Sequence, residues 1–290
     1  QLIVKDARNA DAHYLLGLAY LAENRTELAL MEFRTVNQIG DFEGIVDEIP
    51  FRKKIAELYA EFNQTDEALK EYLLLIKREP ADPELLYRAG RLFEERDRSE
   101  KAAQFYRQAV KLDPRNAAAR SRLGLLLYRG KRPVEARAEL DAAVRADPEN
   151  YEAWYYIGKL LKDSRDCVAA LSALEKSARD PAFKVKSLIE RGGCLISMGH
   201  LQRAISELER AANLADDDST EALYARYFLA HAFERTRNME GAVEQWELIY
   251  RKKPGFKDVA EKLTKYQDLR TDDRVKDYLT LENKNLETGK

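Results

Sequence analysis

Tyrosines and cationic side chains recur together through the middle and end of this 290-residue chain. Tyr87, Arg88 and Arg91 come first, then Arg122, Leu125, Tyr128 and Arg129. Tyr155, Tyr156, Lys159 and Lys162 follow, and later Tyr224, Tyr227 and His231. A tyrosine offers a broad apolar face with a polar tip, and an arginine grips a carboxylate through two parallel hydrogen bonds. Both residue types are enriched where binding energy concentrates. Such a set recognises a protein or peptide segment carrying acidic and apolar groups. The residues of bond-breaking chemistry are not arranged to work together. His13, His200 and His231 are far apart, and no HExxH, CxxC, P-loop or GxGxxG pattern occurs. The sequence therefore implies no catalytic residue, no metal site and no cofactor; the chain is expected not to be an enzyme.

Composition narrows the field further. The 49 Lys and Arg residues nearly balance 51 Asp and Glu residues, for a net charge of -2. That mixture excludes a basic nucleic-acid binder and an acidic disordered tail. No apolar run approaches the roughly 18 residues of a membrane span, so direct membrane insertion by this chain is not expected. Two cysteines, Cys167 and Cys194, make no disulfide framework and read as free thiols, Cys194 facing a helix interior.

The elements that position these groups follow from a 34-residue period. Gly90, Gly124, Gly158 and Gly192 stand 34 apart, and Ala102, Ala136, Ala170 and Ala204 follow each of them by twelve. Self-similarity at this period signals stacked helix–turn–helix units. Numbering each unit from 1 to 34, positions 8, 20 and 27 are small where helices approach. Positions 4, 7, 11 and 24 are bulky, and position 32 is often Pro, which cannot continue a helix. Segments 83–116, 117–150, 151–184 and 185–218 fit without gaps. Segments 10–43, 49–82 and 223–256 fit with insertions before and after, in QIGDFEGIVDEIP and LADDDST.

The stretches DPELLYRAGRLFEERDRSEKAAQFYRQAVKLDPRN and DPENYEAWYYIGKLL closely resemble the tetratricopeptide repeat family. The resemblance covers residues 10–256. It implies an all-α chain, a right-handed α-solenoid of about seven helix hairpins whose first helices line a concave groove. A single hairpin cannot bury its apolar face alone, whereas a row of them shares one core. The family's groove positions are mainly 2, 5, 6, 9, 12 and 13, and these are the positions of the tyrosines and cations above. Two readings of them stay open: a basic, aromatic cradle for a partner segment, or a face whose charges are balanced at home by Glu84, Glu94, Glu95, Glu152 and Asp163. The family's clamp for chaperone carboxyl termini needs Asn at groove positions where this chain has none, so that role is rejected. Nucleic acid is an unlikely ligand, because no two-residue base-reading code recurs. The sequence is neutral on self-association.

The ends differ from the middle. In the first repeat the groove positions Tyr14, Leu15, Leu18 and Leu21 are apolar, and the insertion with Phe42, Ile45, Val46 and Ile49 is expected to pack across them. The competing reading is an exposed apolar patch. Residues 257–270 read as a capping helix, with Phe256, Val259, Ala260, Leu263 and Tyr266 inward. Residues 271–290 read as a polar tail or linker in which Val275, Tyr278 and Leu279 could dock as one helical turn. Residues 1–9 read as the end of a preceding helix, which makes the chain a piece of a longer protein. The function expected is a protein–protein interaction scaffold in a bacterial assembly, cytoplasmic or periplasmic beside the inner membrane. The stretch PGFKDVAEKLTKYQDLRTDDRVKDYLT also resembles spirochaete repeat proteins of the periplasmic flagellar collar, which would imply a structural part in a ring.

Overall fold

The structure, a computed structural model, describes residues 8–271, with side chains described to Tyr266. The expected end of a preceding helix and the polar tail with Val275, Tyr278 and Leu279 lie almost wholly outside the described residues. Every regular element among the described residues is a helix. Fifteen helices pair into seven hairpins followed by a last single helix.

The described residues divide into two compact units, the first ending at Ala146 and the second beginning at Asp147. In the first unit the hairpins are α1 Ala10–Ala22 with α2 Thr26–Ile39, α3 Glu48–Glu61 with α4 Thr65–Arg78, α5 Pro83–Glu95 with α6 Ser99–Leu112, and α7 Ala117–Arg129 with α8 Pro133–Ala146. In the second they are α9 Tyr151–Asp163 with α10 Cys167–Ser177, α11 Pro181–Ser197 with α12 Leu201–Leu214, and α13 Thr220–Arg235 with α14 Met239–Lys252; α15 Val259–Thr271 closes the described chain. Within each unit, consecutive hairpins pack side by side.

Local chemistry sets the helix boundaries. Asn9, Asp82, Asn116, Asn150 and Ser219 each accept a hydrogen bond from an amide in the first turn of the helix that follows. These caps satisfy donors that the helix leaves unpaired. At the other end of every first helix one residue turns left-handed: Asn24, Asn63, Asp97, Lys131, Arg165, Gly199 and Arg237. The next amide then reaches the carbonyl five residues back, as Arg25 does to Tyr20 and Asn238 does to Phe233, at 2.8 and 2.9 Å. This closing turn reverses the chain into the second helix. Six of the seven left-handed residues are not glycine, so geometry fixes this position more tightly than residue type does.

The seam of each hairpin is a knob in a hole. A side-chain carbon added at Gly90 would stand 2.7 Å from the ring of Tyr106, and one at Gly158 would stand 2.5 Å from Leu174. Gly17 with Phe33, Gly124 with Leu140 and Gly192 with Leu208 repeat the arrangement. Position 8 is small because the position-24 side chain fills the space. The position-20 alanines Ala29, Ala68, Ala102, Ala136, Ala170, Ala204 and Ala242 are all fully buried. Two helices begin three or more residues before the 34-residue frame: α11 at Pro181 and α13 at Thr220, with 17 and 16 residues.

Candidate functional site

Two sets of polar rungs order the side chains around these seams. The first lies within hairpins and joins repeat position 4 to position 23. His13 Nδ1 lies 2.6 Å from Glu32, Arg52 donates to Glu71 at 2.7 Å, Arg120 to Glu139 at 2.6 Å and Arg226 to Gln245 at 3.3 Å. Each pair is 19 residues apart. Position 4 was expected to be bulky and core-filling. In these four hairpins it instead carries a half-buried polar contact, whereas in the third hairpin the same places hold Leu86 and Phe105. The second set joins successive hairpins, from position 12 of one first helix to position 6 of the next. Arg122 donates to Glu94 through both Nε, at 3.1 Å, and Nη2; Lys162 donates to Glu190 at 2.5 Å and Lys262 to Glu234 at 2.6 Å. Each pair is 28 residues apart.

This second set decides how the expected cradle is built. Among its cations, Arg122 is held by Glu94, Lys162 and Lys159 share Glu190, the latter at 3.4 Å, and Arg88 donates to Glu84 at 2.7 Å. Arg91 and Arg129 reach carboxylates, Glu95 and Glu94, only at 3.4 Å, and their side chains are 56% and 57% exposed. The charges are thus largely balanced at home, as the second of the two sequence readings has it for Glu84, Glu94 and Glu95. Glu190 was not anticipated, although its 28-residue spacing from Lys162 was visible in the chain.

Two expected lining residues do not line the face. Leu125 is 1% exposed and Tyr155 is 9% exposed. Leu125 is buried with Leu126 and Leu127, in a run from Leu123 to Leu127 that α7 buries without a break. Tyr155 turns its ring onto Tyr156 and Phe183, at 5.2 and 5.6 Å between centroids. Tyr87 is half-buried against Tyr106, whose hydroxyl donates to Glu94 at 3.0 Å. Burial, then the Glu94 carboxylate, push the Tyr106 phenol up. Tyr128 and Tyr156 are half-buried.

The first hairpin corrects another expectation. Leu15 and Leu18 are 46% and 38% exposed, so the insertion does not cover them. It docks elsewhere. Asp11 accepts from the amides of Ile45 and Val46 at 2.8 and 3.3 Å, Val46 is buried, and Phe42 packs on Phe51 with rings 5.7 Å apart. Ile45, expected to join the cover, is itself 64% exposed. The Asp11 anchor fixes the insertion at the start of α1, short of the leucines on its later turns.

At the other end, Tyr224, Tyr227 and Phe228 of α13 gather around the loop before α15. Phe256 stands edge-on to both Tyr224 and Tyr227, at 5.3 and 6.0 Å. Tyr227 donates to Asp258 at 2.9 Å, and burial, then this bond, push its phenol up to about 12. His231 packs on Tyr227 at 5.2 Å and lies 3.5 Å from Glu234. Val259 is buried and Leu263 packs on the same cluster, as expected of a cap. Ala260 is exposed, because it falls outside the stripe set by Phe256, Val259 and Leu263.

Cys194 is buried and burial pushes its thiol up to about 12, while Cys167 is half-buried; both are free. Among the described residues no three metal-binding side chains cluster, and no helix is long and apolar enough to cross a membrane.

Two tetratricopeptide repeat family models match, one over residues 94–161 and one over 1–36 and 53–117, together half of the chain. Solved structures agree in fold. YrrB, described as a tetratricopeptide repeat protein with an unusual peptide-binding site, is 22% identical, with a TM-score of 0.58 over 67% of this chain and 97% of its own. The C-terminal part of a repeat protein from Cytophaga hutchinsonii is 16% identical, with a TM-score of 0.64 over 86% and 99%. PilW, a type IV pilus biogenesis factor, is 18% identical, with a TM-score of 0.59 over 75% and 99%. A comparison with curated proteins returns no match.

Proposed function

This chain belongs to the tetratricopeptide repeat family, and we propose from its geometry that it is an interaction scaffold whose first helices hold a segment of a protein partner. The observation that carries this reading is the pair Arg91 and Arg129. Both guanidinium groups are more than half exposed, and each touches its carboxylate only at 3.4 Å. Such contacts contribute little at home. A partner carboxylate can therefore take either arginine, since Glu95 is exposed and the buried Glu94 is still held by Arg122. Tyr87 and Tyr128, half-buried near by in the repeat, supply apolar area for the same segment. Preorganisation on a packed helical frame lowers the entropy lost on binding.

Partner assembly in a bacterial multiprotein complex is the wider role this supports. YrrB is described by its peptide-binding site and PilW by pilus biogenesis, and both share the fold. The flagellar-collar reading rests on residues 254–280, of which the structure describes the loop and α15 up to Thr271.

The test is affinity capture of partners by the full chain from an extract of its source organism, repeated with Arg91→Glu and Arg129→Glu together. Loss of a buried anchor costs roughly 2–4 kcal/mol, so capture should fall at least about tenfold. Thermal stability should change little, because Arg91 and Glu95 are both exposed and the buried Glu94 keeps its bonds from Arg122 and Tyr106. Undiminished capture would remove the arginine face from the account. Capture of RNA, with affinity collapsing as salt rises, would replace the protein partner altogether.

A further inference from the structure

The aromatic cluster at the end of the second unit already holds a cation. The ammonium of Lys257 lies 4.3 Å from the ring centre of Tyr227, 4.7 Å from that of Tyr224 and 5.5 Å from that of Phe228. Three ring faces around one ammonium is the arrangement by which proteins recognise organic cations. The Asp258 carboxylate, accepting from Tyr227, adds negative potential beside the rings.

Lys257 is a poor permanent occupant. Among the described residues no carboxylate pairs with it, although Lys159, Lys162 and Lys262 all have one. Its backbone is left-handed, with φ of 48°, outside the seven hairpin turns where that conformation recurs. A side chain other than glycine adopts it at a steric cost. Lys257 is exposed and Tyr224 is 38% exposed, so the cleft opens to solvent. An ammonium is also strongly hydrated, whereas a guanidinium is less so and stacks flat on aromatic rings. An arginine entering this cleft would exchange a hydrated ammonium's weak contact for a better one.

We propose that the cleft between Tyr224 and Tyr227 is a receptor for an arginine side chain of the partner segment, and that Lys257 is its tethered competitor. This rests on the reading that the first helices hold a partner. It assigns the end of the second unit to basic groups, opposite in preference to Arg91 and Arg129.

The test uses the full chain and a capped Ala-Arg-Ala peptide, followed by proton NMR. Protons beside the guanidinium shift upfield when they lie over tyrosine faces. Lys257→Gly removes the competitor and suits the left-handed backbone. It should bind the peptide about tenfold more tightly than the natural chain, as expected when a site nine-tenths occupied is freed. Tyr224→Leu added to Lys257→Gly keeps the bulk and should abolish the shift; Tyr224→Phe keeps the ring and should retain it. A citrulline peptide, neutral and of like shape, should not shift. Equal binding by Lys257→Gly and the natural chain overturns the proposal, as does equal binding of the citrulline peptide. Binding of tetramethylammonium but not of the arginine peptide would reassign the cleft to a small solute and overturn the partner version. If these outcomes appear while the Arg91 and Arg129 test still succeeds, only this inference falls.

Discussion

The second and third hairpins fill one geometric slot with opposite chemistry. Positions 4 and 23 hold Arg52 and Glu71 in the second, and Leu86 and Phe105 in the third. Glu71 is 5% exposed and Leu86 is 2% exposed, whereas Arg52 and Phe105 are partly buried, so each slot is shielded from water on one side. The second hairpin needs a network to make its slot tolerable: Arg52 also donates to Glu48 and Asn37, and Asn37 donates to Glu71 at 2.7 Å. The third needs nothing beyond contact. The slot therefore specifies shape, and leaves the residues free provided that all its members change together, Asn37 being matched by Ile76.

The largest expected effect comes from changing one member alone. Arg52→Leu leaves the Glu71 carboxylate buried without its cation and should cost about 3 kcal/mol in urea unfolding. Arg52→Leu, Glu71→Phe and Asn37→Ile together copy the third hairpin, where Leu86 packs with Phe105 and Ile76, and should recover most of that loss. Failure to recover would mean that the two slots differ in shape as well as chemistry. A smaller effect is expected at the seam. The second hairpin carries Ala56 where the third carries Gly90, and both face a buried tyrosine at position 24. Gly90→Ala should cost about 1 kcal/mol and Gly90→Val about 2 kcal/mol or more, as overpacking does. A harmless Gly90→Val would show the third seam to be looser than its 2.7 Å approach implies.

The smallest effect is a difference in alkaline slope. Burial raises the phenols of both Tyr72 and Tyr106 above their ordinary 10.0. Arg88 opposes the rise at Tyr72, whereas Glu94 adds to it at Tyr106. Above about pH 10 the unfolded chain releases phenolic protons that the folded chain retains. Stability is therefore full below that pH and falls as pH climbs toward the folded values. Tyr106→Phe should flatten this fall more than Tyr72→Phe does, measured by urea unfolding from about pH 9 to pH 11. The reverse order would mean that Arg88 does not govern Tyr72.

The repeat frame was legible because seams impose size at fixed spacing, and size is written in the residue type: Gly90, Gly124, Gly158 and Gly192 could hardly be read otherwise. The orientation of side chains off the seam was less legible. Leu125 and Tyr155 occupy face positions by number, yet Leu125 falls in the run from Leu123 to Leu127 that is buried without a break, and Phe183 gives Tyr155 a partner inside. Spacings of 19 and 28 residues carried the polar rungs, but any single pair of charges at such a distance looks accidental until a structure shows it repeating. The exposed Leu15 and Leu18 went wrong because composition predicted a cover for them, whereas Asp11 decided where the insertion would land.

The rungs at 28 residues also change direction. In the second unit, Lys162 reaches forward to Glu190, whereas Glu234 reaches forward to Lys262. If α15 were to settle against the hairpin that starts with α9, ammonium would meet ammonium. Chains built from near-identical modules are prone to pairing out of order while they fold. The opposite polarity of these two clasps, one on either side of the apolar junction of Ile196 with Phe228, lets α15 settle on α13 and turns it away from the hairpin of α9.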